Sequence, residues 1–370
     1  MSNSPATPVP GPPSDAAPGG AGALPERIRR WGPCQSYAAI LLAVAVCSRG
    51  IAERWWLTTL LLYIPQLIYG LPLPLLALTA WRRRDRHGGI AVVAGCLLVA
   101  GPMMGWENPQ LQAGPVRGAP RVRVLAYNVE LLAAGPAPLV RQLHTAQADV
   151  VVLEEAGRSA PRVGNLVRRT FPEWSVTEAG DITVASRWPI SAETAIPLGP
   201  ARVAGARNQW RALAVTVAAP FASFAVLGVH FHTALDGGSF RRHWRRLPAY
   251  VEGSAAVRRE QAADVAAWVR RARLPAIIAG DFNTPPAGLA YGVLRGAGLR
   301  DAFEERGWGW GYTFPARQPL LRIDYVFHTA AWDALHCRVG ATDGSDHRPV
   351  LAELALRDPV VDHRRQNGGG

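Results

Sequence analysis

The longest apolar stretches of the chain lie within its first third. They run over residues 31–47, 55–81 and 88–106, and none of the three contains a charged residue. About 20 apolar residues cross a hydrocarbon core, so the first stretch is marginal and the other two are of sufficient length. Trp55 and Trp81 stand at the ends of the second stretch, where aromatic side chains anchor helices at a membrane surface. The pattern predicts a helical membrane anchor over residues 26–106 with about three transmembrane helices, the second kinked by its three prolines.

The charges between these stretches predict an orientation. Four arginines lie between residues 82 and 86, and a second basic cluster precedes the first stretch. Because positive loops stay in the cytoplasm, this predicts a multi-pass protein of the cell membrane with its C-terminal domain outside the cytoplasm. The loop with Arg49, Glu53 and Arg54 counts against it, since it carries two positive charges on the outer side. A cleavable signal peptide is the alternative, but a polar leader precedes the first stretch and two longer stretches follow it.

After residue 117 the pattern changes to that of an α/β domain, in which short β-branched runs alternate with charged or helical segments. Strands are predicted at residues 121–127, 149–153, 224–230, 276–279, 323–327 and 350–356, and helices at 137–147 and 252–272. Residues 184–185 lead into a predicted turn at 186–190. The predicted domain organisation is a disordered leader (1–25), the anchor (26–106), a linker (107–116), the α/β domain (117–356) and a flexible tail (357–370).

The composition says little about binding partners but limits the type of metal that the chain could bind. The formal net charge is +12, but every basic residue other than histidine is arginine, which is typical of a G+C-rich coding sequence. Nucleic-acid binding is therefore permitted and not implied. Cys337 is the single cysteine after the apolar stretches, and the chain has no C-x-x-C motif. Any metal is expected to be a hard cation such as Mg²⁺ or Mn²⁺, bound by oxygen and nitrogen ligands.

Six short motifs in the α/β domain carry candidate chemistry. In chain order they are Leu125-Ala126-Tyr127-Asn128-Val129, Val150-Val151-Val152-Leu153-Glu154-Glu155, Val229-His230, Gly280-Asp281-Phe282-Asn283, Arg322-Ile323-Asp324-Tyr325 and Ser345-Asp346-His347-Arg348-Pro349. Their order resembles that of the endonuclease/exonuclease/phosphatase superfamily, over roughly residues 121–356. The resemblance implies an α/β fold, a four-layer sandwich with helices outside two mixed sheets, and a site at one end of the sheets. Glu154 departs from the family, which commonly has glutamine there, and this leaves the matching metal ligand, Glu155, in place.

The residue types suit metal-dependent hydrolysis of a phosphoester. Glu155 is expected to hold the cation with Asn128 alongside, and Asp281 to orient and deprotonate the attacking water. Asn283 is expected to donate to a phosphoryl oxygen.

The acid–base groups complete the expected site. Asp346 is expected to fix the imidazole of its neighbour His347 and raise its pKa, and His347 to stabilise the phosphoryl group or act as an acid. The resemblance makes His230 the family's second histidine and Asp324 its orienting aspartate.

The substrate is less well determined, because the same fold serves several substrates. A domain tethered close to a membrane meets surface substrates at high effective concentration, which favours membrane lipids or lipid-linked phosphates, a phospholipid among them. The chain also resembles membrane-anchored bacterial members of the superfamily that are linked to glycopeptide-antibiotic resistance, and this resemblance implies undecaprenyl (pyro)phosphate as a substrate. An exposed cluster is expected to contact lipid phosphate, although it is equally well explained as a solvated loop; it comprises Arg241, Arg242, Arg245 and Arg246, with Trp244. The alternatives are an extracytoplasmic Mg²⁺-dependent nuclease and a binding module on an inactive enzyme scaffold. No obligate protein partner is predicted.

Overall fold

The computed structural model describes residues 31–108, 118–157, 162–199, 211–234, 241–341 and 344–357. The predicted leader, most of the predicted linker and the tail from residue 358 onward lie outside these ranges.

Helices fall into two groups, one before and one within the α/β domain. The first group is α1 (Pro33–Gly50), α2 (Trp56–Tyr63), α3 (Leu73–Arg82) and α4 (Arg86–Leu98). The second group is α5 (Pro136–Ala146), α6 (Arg162–Thr170), α7 (Leu247–Arg271), α8 (Leu289–Gly296) and the short α9 (Ala302–Arg306). A π-helical turn, Val99–Met103, extends α4.

Among the described helices, the continuous segment Arg86–Met103 is long and apolar enough to cross a membrane. The second apolar stretch is not one straight helix, because α2 ends before Pro65 and α3 begins after Pro72. Its two halves, Trp56–Tyr63 and Gln66–Arg82, are inclined by 84° and would form at most one broken span. Prolines lack the amide hydrogen that a continuing helix requires, which accounts for breaks at these positions. The described helices thus offer one span, or two with the broken pair, where the sequence predicted about three.

Twelve strands in the described residues form two six-stranded sheets. In chain order they are β1 (Arg121–Asn128), β2 (Val150–Glu154), β3 (Ser175–Ala179), β4 (Ile182–Ser186), β5 (Ile190–Pro197), β6 (Arg211–Ala218), β7 (Ser223–His230), β8 (Ala276–Asp281), β9 (Arg300–Asp301), β10 (Asp324–His328), β11 (Trp332–Val339) and β12 (Val350–Leu356). Sheet one has the order β11-β12-β1-β2-β4-β3, and sheet two has the order β5-β6-β7-β8-β10-β9. The pairs β1/β2 and β7/β8 are parallel and the other pairs are antiparallel, so both sheets are mixed.

The layers follow from which faces of the strands are apolar. Alternate residues such as Val124 and Val152 of sheet one pack against Val226 and Ile277 of sheet two and form the central core. The outer face of sheet one is covered by α5 and α6, and that of sheet two by α7 and α8. Helices outside two packed sheets make the four-layer α/β sandwich that the sequence predicted.

Strand direction brings the polar motifs to one end of the sandwich. The parallel strands β1, β2, β7 and β8 all finish at this end, and the antiparallel strands β10 and β12 start there. Asp281 therefore faces both His230 on β7 and Asp324 on β10 in the sheet register. Asn128 is paired with Glu154 in sheet one.

The N-terminal helices pack on the α/β domain through a buried ion pair. Glu53, in the turn between α1 and α2, lies 2.6 Å from Arg258 of α7, and their side chains are 0% and 1% exposed. Glu53 also accepts the backbone N–H of Leu289 at 2.7 Å. The Tyr63 hydroxyl of α2 donates to the backbone carbonyl of Asn283 at 3.0 Å. This Glu53 network joins the helices before residue 64 to the loop after β8, which carries the candidate site residue Asn283.

Candidate active site

His347 is held by Asp324 and not by its neighbour Asp346. Nδ1 of His347 lies 3.0 Å from an oxygen of Asp324, whereas Asp346 is 4.0 Å from Nε2 and its side chain is 46% exposed. The expectation that Asp346 fixes this imidazole is therefore wrong, because adjacent residues point their side chains in different directions here. Burial lowers the pKa of His347, but Asp324 and Asp281 outweigh it and raise it to about 10.

Ser345 connects the His347 loop to strand β1. Its hydroxyl donates to the carbonyl of Asn128 at 2.7 Å and accepts the backbone N–H of His347 at 3.0 Å. One side chain thus fixes the distance between two of the predicted site residues.

His230 has a carboxylate partner that the sequence did not single out. Nδ1 of His230 lies 2.8 Å from Asp181, in the turn between β3 and β4. Burial lowers the pKa of His230, but Asp181 and Asp281 raise it to about 9. His230 and His347 are therefore arranged alike, each with one nitrogen held by a buried or half-buried aspartate.

Asp281 lies between the two imidazoles. Its Oδ2 is 3.7 Å from Nε2 of His230 and 3.8 Å from Nε2 of His347. Burial and the nearby Asp324 raise the pKa of Asp281 to about 6, while the two histidines lower it. A carboxylate with a pKa near neutrality is suited to accept a proton from water.

Asn283 supports Asp281 instead of facing an open site. Its Nδ2 donates to Oδ2 of Asp281 at 3.1 Å and to the carbonyl of Phe231 at 3.1 Å, and these bonds use both amide hydrogens. Its backbone N–H donates to Oδ1 of Asp281 at 2.8 Å. The expectation that Asn283 donates to a phosphoryl oxygen is therefore not met in this arrangement, since its donors already bind protein oxygens.

Unusual backbone conformations occur at this end of the sheets. Glu155 and Asn283 have φ angles of +52° and +47°, in the left-handed region. Gly280 has a φ of +141°, and a Cβ there would lie 2.0 Å from the carbonyl oxygen of Val229. Such strain is retained where side chains must be aimed, and only glycine fits the position before Asp281.

Glu154, the departure from the family pattern, is completely buried beneath the site. Burial, followed by the charges of Asp324 and Asp281, holds its pKa well above the usual range. A protonated glutamic acid has the shape and the neutral charge of glutamine. Glu154 in place of the family's usual glutamine therefore preserves the shape and the charge of the side chain.

The predicted cation ligands, Asn128 and Glu155, are neighbours at this end of the sandwich. Nδ2 of Asn128 donates to Glu155 at 3.1 Å and to Asp281 at 3.2 Å, so the amide faces them with its donor and not with Oδ1. Oδ1 of Asn128 accepts the backbone N–H of Glu130 at 3.1 Å, so a cation bound by this amide oxygen would share it with that N–H.

A second group also has the geometry of a metal site. Asp281, Asp324 and His347 offer ligand atoms that all lie within 4.8 Å of one another. Asp324 and His347, however, already bind each other, and a cation there would replace that bond. The donor set of carboxylates, an amide and imidazole nitrogen fits a divalent cation at either position.

The arginine cluster is exposed at the start of α7. Arg245 lies over the ring of Trp244, with its guanidinium carbon 5.3 Å from the ring centre, and His243 stacks on Tyr250. These contacts are within the cluster or with α7. The assignment of the cluster to substrate binding stays a prediction.

Comparisons with known proteins agree with this geometry. The model of the endonuclease/exonuclease/phosphatase family matches residues 125–347, which is more than half of the chain. The solved structure of a protein of that family from Beutenbergia cavernae is 22% identical, with a TM-score of 0.50, and the match covers 64% of this chain and 72% of that one. A family protein from Bacteroides thetaiotaomicron is 17% identical with a TM-score of 0.52, covering 65% of this chain and 99% of its own. One from Bacteroides vulgatus is 18% identical with a TM-score of 0.50, covering 64% and 100%. A search of curated proteins gave no match. The family match, over all the candidate residues from Asn128 to His347, places the chain in the endonuclease/exonuclease/phosphatase family.

Proposed function

We propose that this protein is a membrane-anchored, divalent-metal-dependent phosphohydrolase whose substrate is a phosphorylated lipid, such as a polyprenyl (pyro)phosphate or a phospholipid. Hydrolysis of phosphoester bonds is common to the family. The lipid substrate and the position outside the cytoplasm are the new parts of the proposal. The observation that carries them is the packing of apolar N-terminal helices directly against the catalytic domain.

The exposed surface of these helices supports a membrane location. On α4, Ile90, Val93 and Leu97 are 67%, 60% and 68% exposed. Only 22% of the apolar segment Arg86–Met103 is buried within the protein. Soluble proteins rarely expose contiguous apolar patches of this kind, because such patches associate in water.

The Glu53 network supports the proposed orientation. Glu53 binds Arg258 of the catalytic domain, so the turn between α1 and α2 is on the same side of the anchor as that domain. Arg82 ends α3 and Arg86 begins α4, so these arginines lie at the start of the apolar segment Arg86–Met103, whose other end contacts the domain through Trp310. If that arginine loop is cytoplasmic, as positive loops usually are, the catalytic domain is outside.

The side chains of the site supply acid–base and electrostatic chemistry. A bound divalent cation would neutralise charge on the phosphoryl oxygens. Asp281, with its raised pKa, is placed to take a proton from the attacking water. His230 and His347, both cationic at neutral pH, would stabilise the negative charge of the phosphoryl group.

Of the two possible cation positions, we assign one to the metal and the other to the orientation of His347. We place the cation at Glu155 with Asn128, because the ion pair of Glu155 among the described residues, with His230, is 4.0 Å long, whereas Asp324 and His347 lie 3.0 Å apart. Asp324 then orients His347. Glu155→Gln should raise the Mg²⁺ concentration needed for half-maximal activity, whereas Asp324→Asn should lower kcat without that change.

A panel of substrates tests the proposal with the full-length protein in detergent or vesicles. Release of phosphate from a polyprenyl diphosphate and of the phosphorylated head group from a phospholipid is measured, alongside hydrolysis of bis(p-nitrophenyl) phosphate and nicking of plasmid DNA. We expect Mg²⁺-dependent lipid hydrolysis that is lost after chelation and in Asp281→Asn. Asp333→Asn, at a surface ion pair with Arg357, is the matched control and should retain activity. Nicking of DNA without hydrolysis of any lipid phosphate would instead identify a nuclease.

A further inference from the structure

A cleft of about 650 Å³ lies between the N-terminal helices and the catalytic domain. Its walls are largely apolar, with Leu67 and Met104 from the anchor and Trp310, Tyr312 and Leu320 from the domain. The volume is within the range of sites that bind small molecules. We call it the aromatic cleft.

The charged side chains that line the aromatic cleft are positive. Arg306, Arg338 and Arg348 line it, and none of its described lining residues is acidic. Nε of Arg348 donates to the carbonyl of Ala316 at 2.8 Å, which holds that guanidinium in place. An apolar groove with several guanidinium groups complements an amphiphile that has a hydrocarbon chain and an anionic head group.

The anchor and the domain build this cleft together. Nε1 of Trp310 donates to the carbonyl of Ala100 at 3.0 Å, and the Tyr312 hydroxyl donates to that of Met104 at 2.9 Å. Both acceptors belong to the end of the apolar segment that begins with α4. Trp308, another lining residue, is 69% exposed, as an indole at a membrane surface would be. The cleft therefore begins where the membrane surface is expected.

Backbone hydrogen bonds connect the wall of the cleft to the segments that carry the candidate active site. Arg348 directly follows His347, and its backbone N–H donates to the carbonyl of Thr313 at 2.8 Å. Thr313 follows Tyr312 in the chain, and its hydroxyl accepts the backbone N–H of Asp324 at 3.4 Å. The lining residues Tyr312 and Arg348 are thus each next in the chain to a residue that contacts Asp324, namely Thr313 and His347.

We propose that the aromatic cleft binds the hydrocarbon chain of an anionic membrane lipid and guides its phosphate toward His347. This inference rests on the proposed function for the statement that the lipid is the substrate. Binding of the chain is a separate property and can be measured without catalysis. Arg306, Arg338 and Arg348 would contact the phosphate or its neighbours in the head group.

Photocrosslinking of the full-length protein tests the proposal. The probe is phosphatidic acid with a diazirine at the end of one palmitoyl chain, in phosphatidylcholine vesicles, and labelled peptides are located by mass spectrometry. We expect labelling of the segments around Met104 and Leu320. Leu320→Trp, which fills the cleft, should lower this labelling by about tenfold, the effect of roughly 1.4 kcal/mol of binding free energy. Leu274→Trp, after α7, is the control and should label like the unmodified protein.

The head-group contacts have their own test. A diazirine-bearing phosphatidylcholine should label the cleft several-fold less than the anionic probe, and Arg338→Gln should reduce that preference. Equal labelling in Leu320→Trp, or labelling confined to the outer face of α4, would overturn the inference. So would a p-benzoylphenylalanine in place of Leu320 that crosslinks to protein instead of lipid, because it would identify a different occupant.

The outcomes separate this inference from the proposed function. Labelling of the cleft in a protein that hydrolyses no lipid phosphate would support chain binding and reject the proposed substrate. Lipid hydrolysis with no labelling in the cleft would support the substrate and reject the cleft.

Discussion

Removing the charge of Glu53 should destabilise the whole protein, although Glu53 is remote in sequence from the catalytic domain. Its partner Arg258 is 1% exposed, so Glu53→Gln leaves a cation buried without a counter-charge. Loss of one partner of a buried ion pair typically lowers the free energy of unfolding by about 3–5 kcal/mol. Glutamine can still accept the N–H of Leu289, but its NH₂ then faces Arg258, so the change removes both the negative charge and one hydrogen-bond acceptor.

The assay is chemical denaturation of the full-length protein in a mild detergent, followed by tryptophan fluorescence. Glu353→Gln is the matched control, because its ion pair with Arg121 is at the surface and should contribute only about 0–1 kcal/mol. In a double-mutant cycle, Glu53→Gln with Arg258→Met should be less destabilised than the two single changes added together. If Glu53→Gln unfolds within about 1 kcal/mol of both the unmodified protein and Glu353→Gln, the network does not stabilise the fold as argued.

The same reasoning applies to the catalytic domain expressed alone. A fragment beginning at residue 118 lacks Glu53 and Tyr63, so Arg258 is left without its carboxylate and Asn283 loses a hydrogen bond. Such a fragment should be less stable than the domain within the full chain, and Arg258→Met should recover part of the loss. Weak activity of the fragment would then reflect this missing support and not a wrong substrate.

Three further predictions concern the site and its surroundings. Asp181→Asn should lower kcat by roughly 10-fold to 100-fold, the range for groups that orient a functional histidine, and should lower the pKa of His230 in an NMR titration. Chelation should abolish activity, and added Mg²⁺ should restore it with a concentration dependence that is changed by Glu155→Gln and unchanged by Asp324→Asn. Burial raises the pKa of Glu107 from 4.5 to about 7. The stability that this group contributes is therefore complete below about pH 4.5 and is lost as the pH rises through 7. Glu107→Gln should remove this loss, and parallel pH profiles of unfolding free energy for the two proteins between pH 5 and pH 8 would contradict the prediction.

The sequence predicted the strands that carry the motifs better than the contacts between them. Asn128 and Asp281 follow buried apolar runs, and the carboxyl ends of parallel strands meet at one edge of a sheet. The proximity of Asn128 and Asp281 could therefore be predicted from the sequence. Strands without such motifs, including β5, β6 and β11, were not predicted, because their partly exposed or mixed patterns give weaker signals.

The partners of the two histidines depend on strand register and sheet packing, which the local sequence does not contain. Asp346 is next to His347 in the chain, but Asp324 reaches it because β10 and β12 start at the same end of the sandwich. Asp181 is in a hairpin turn and resembles an ordinary turn residue until the two sheets are packed together.

Contacts between the N-terminal helices and the α/β domain could not be predicted from the sequence either. Glu53 was interpreted as one of three charges in a short loop, whereas its partner Arg258 is 205 residues away. No local pattern indicates such a pair, and only the folded chain brings the two charges together.

A competition experiment tests the central claim most directly. Full-length protein in vesicles with Mg²⁺ is offered a polyprenyl diphosphate and plasmid DNA together, at equal concentrations of phosphate groups, and both products are followed. We expect release of phosphate from the lipid while the plasmid stays supercoiled, and neither reaction in Asp281→Asn. Nicked plasmid with the lipid diphosphate intact would contradict it.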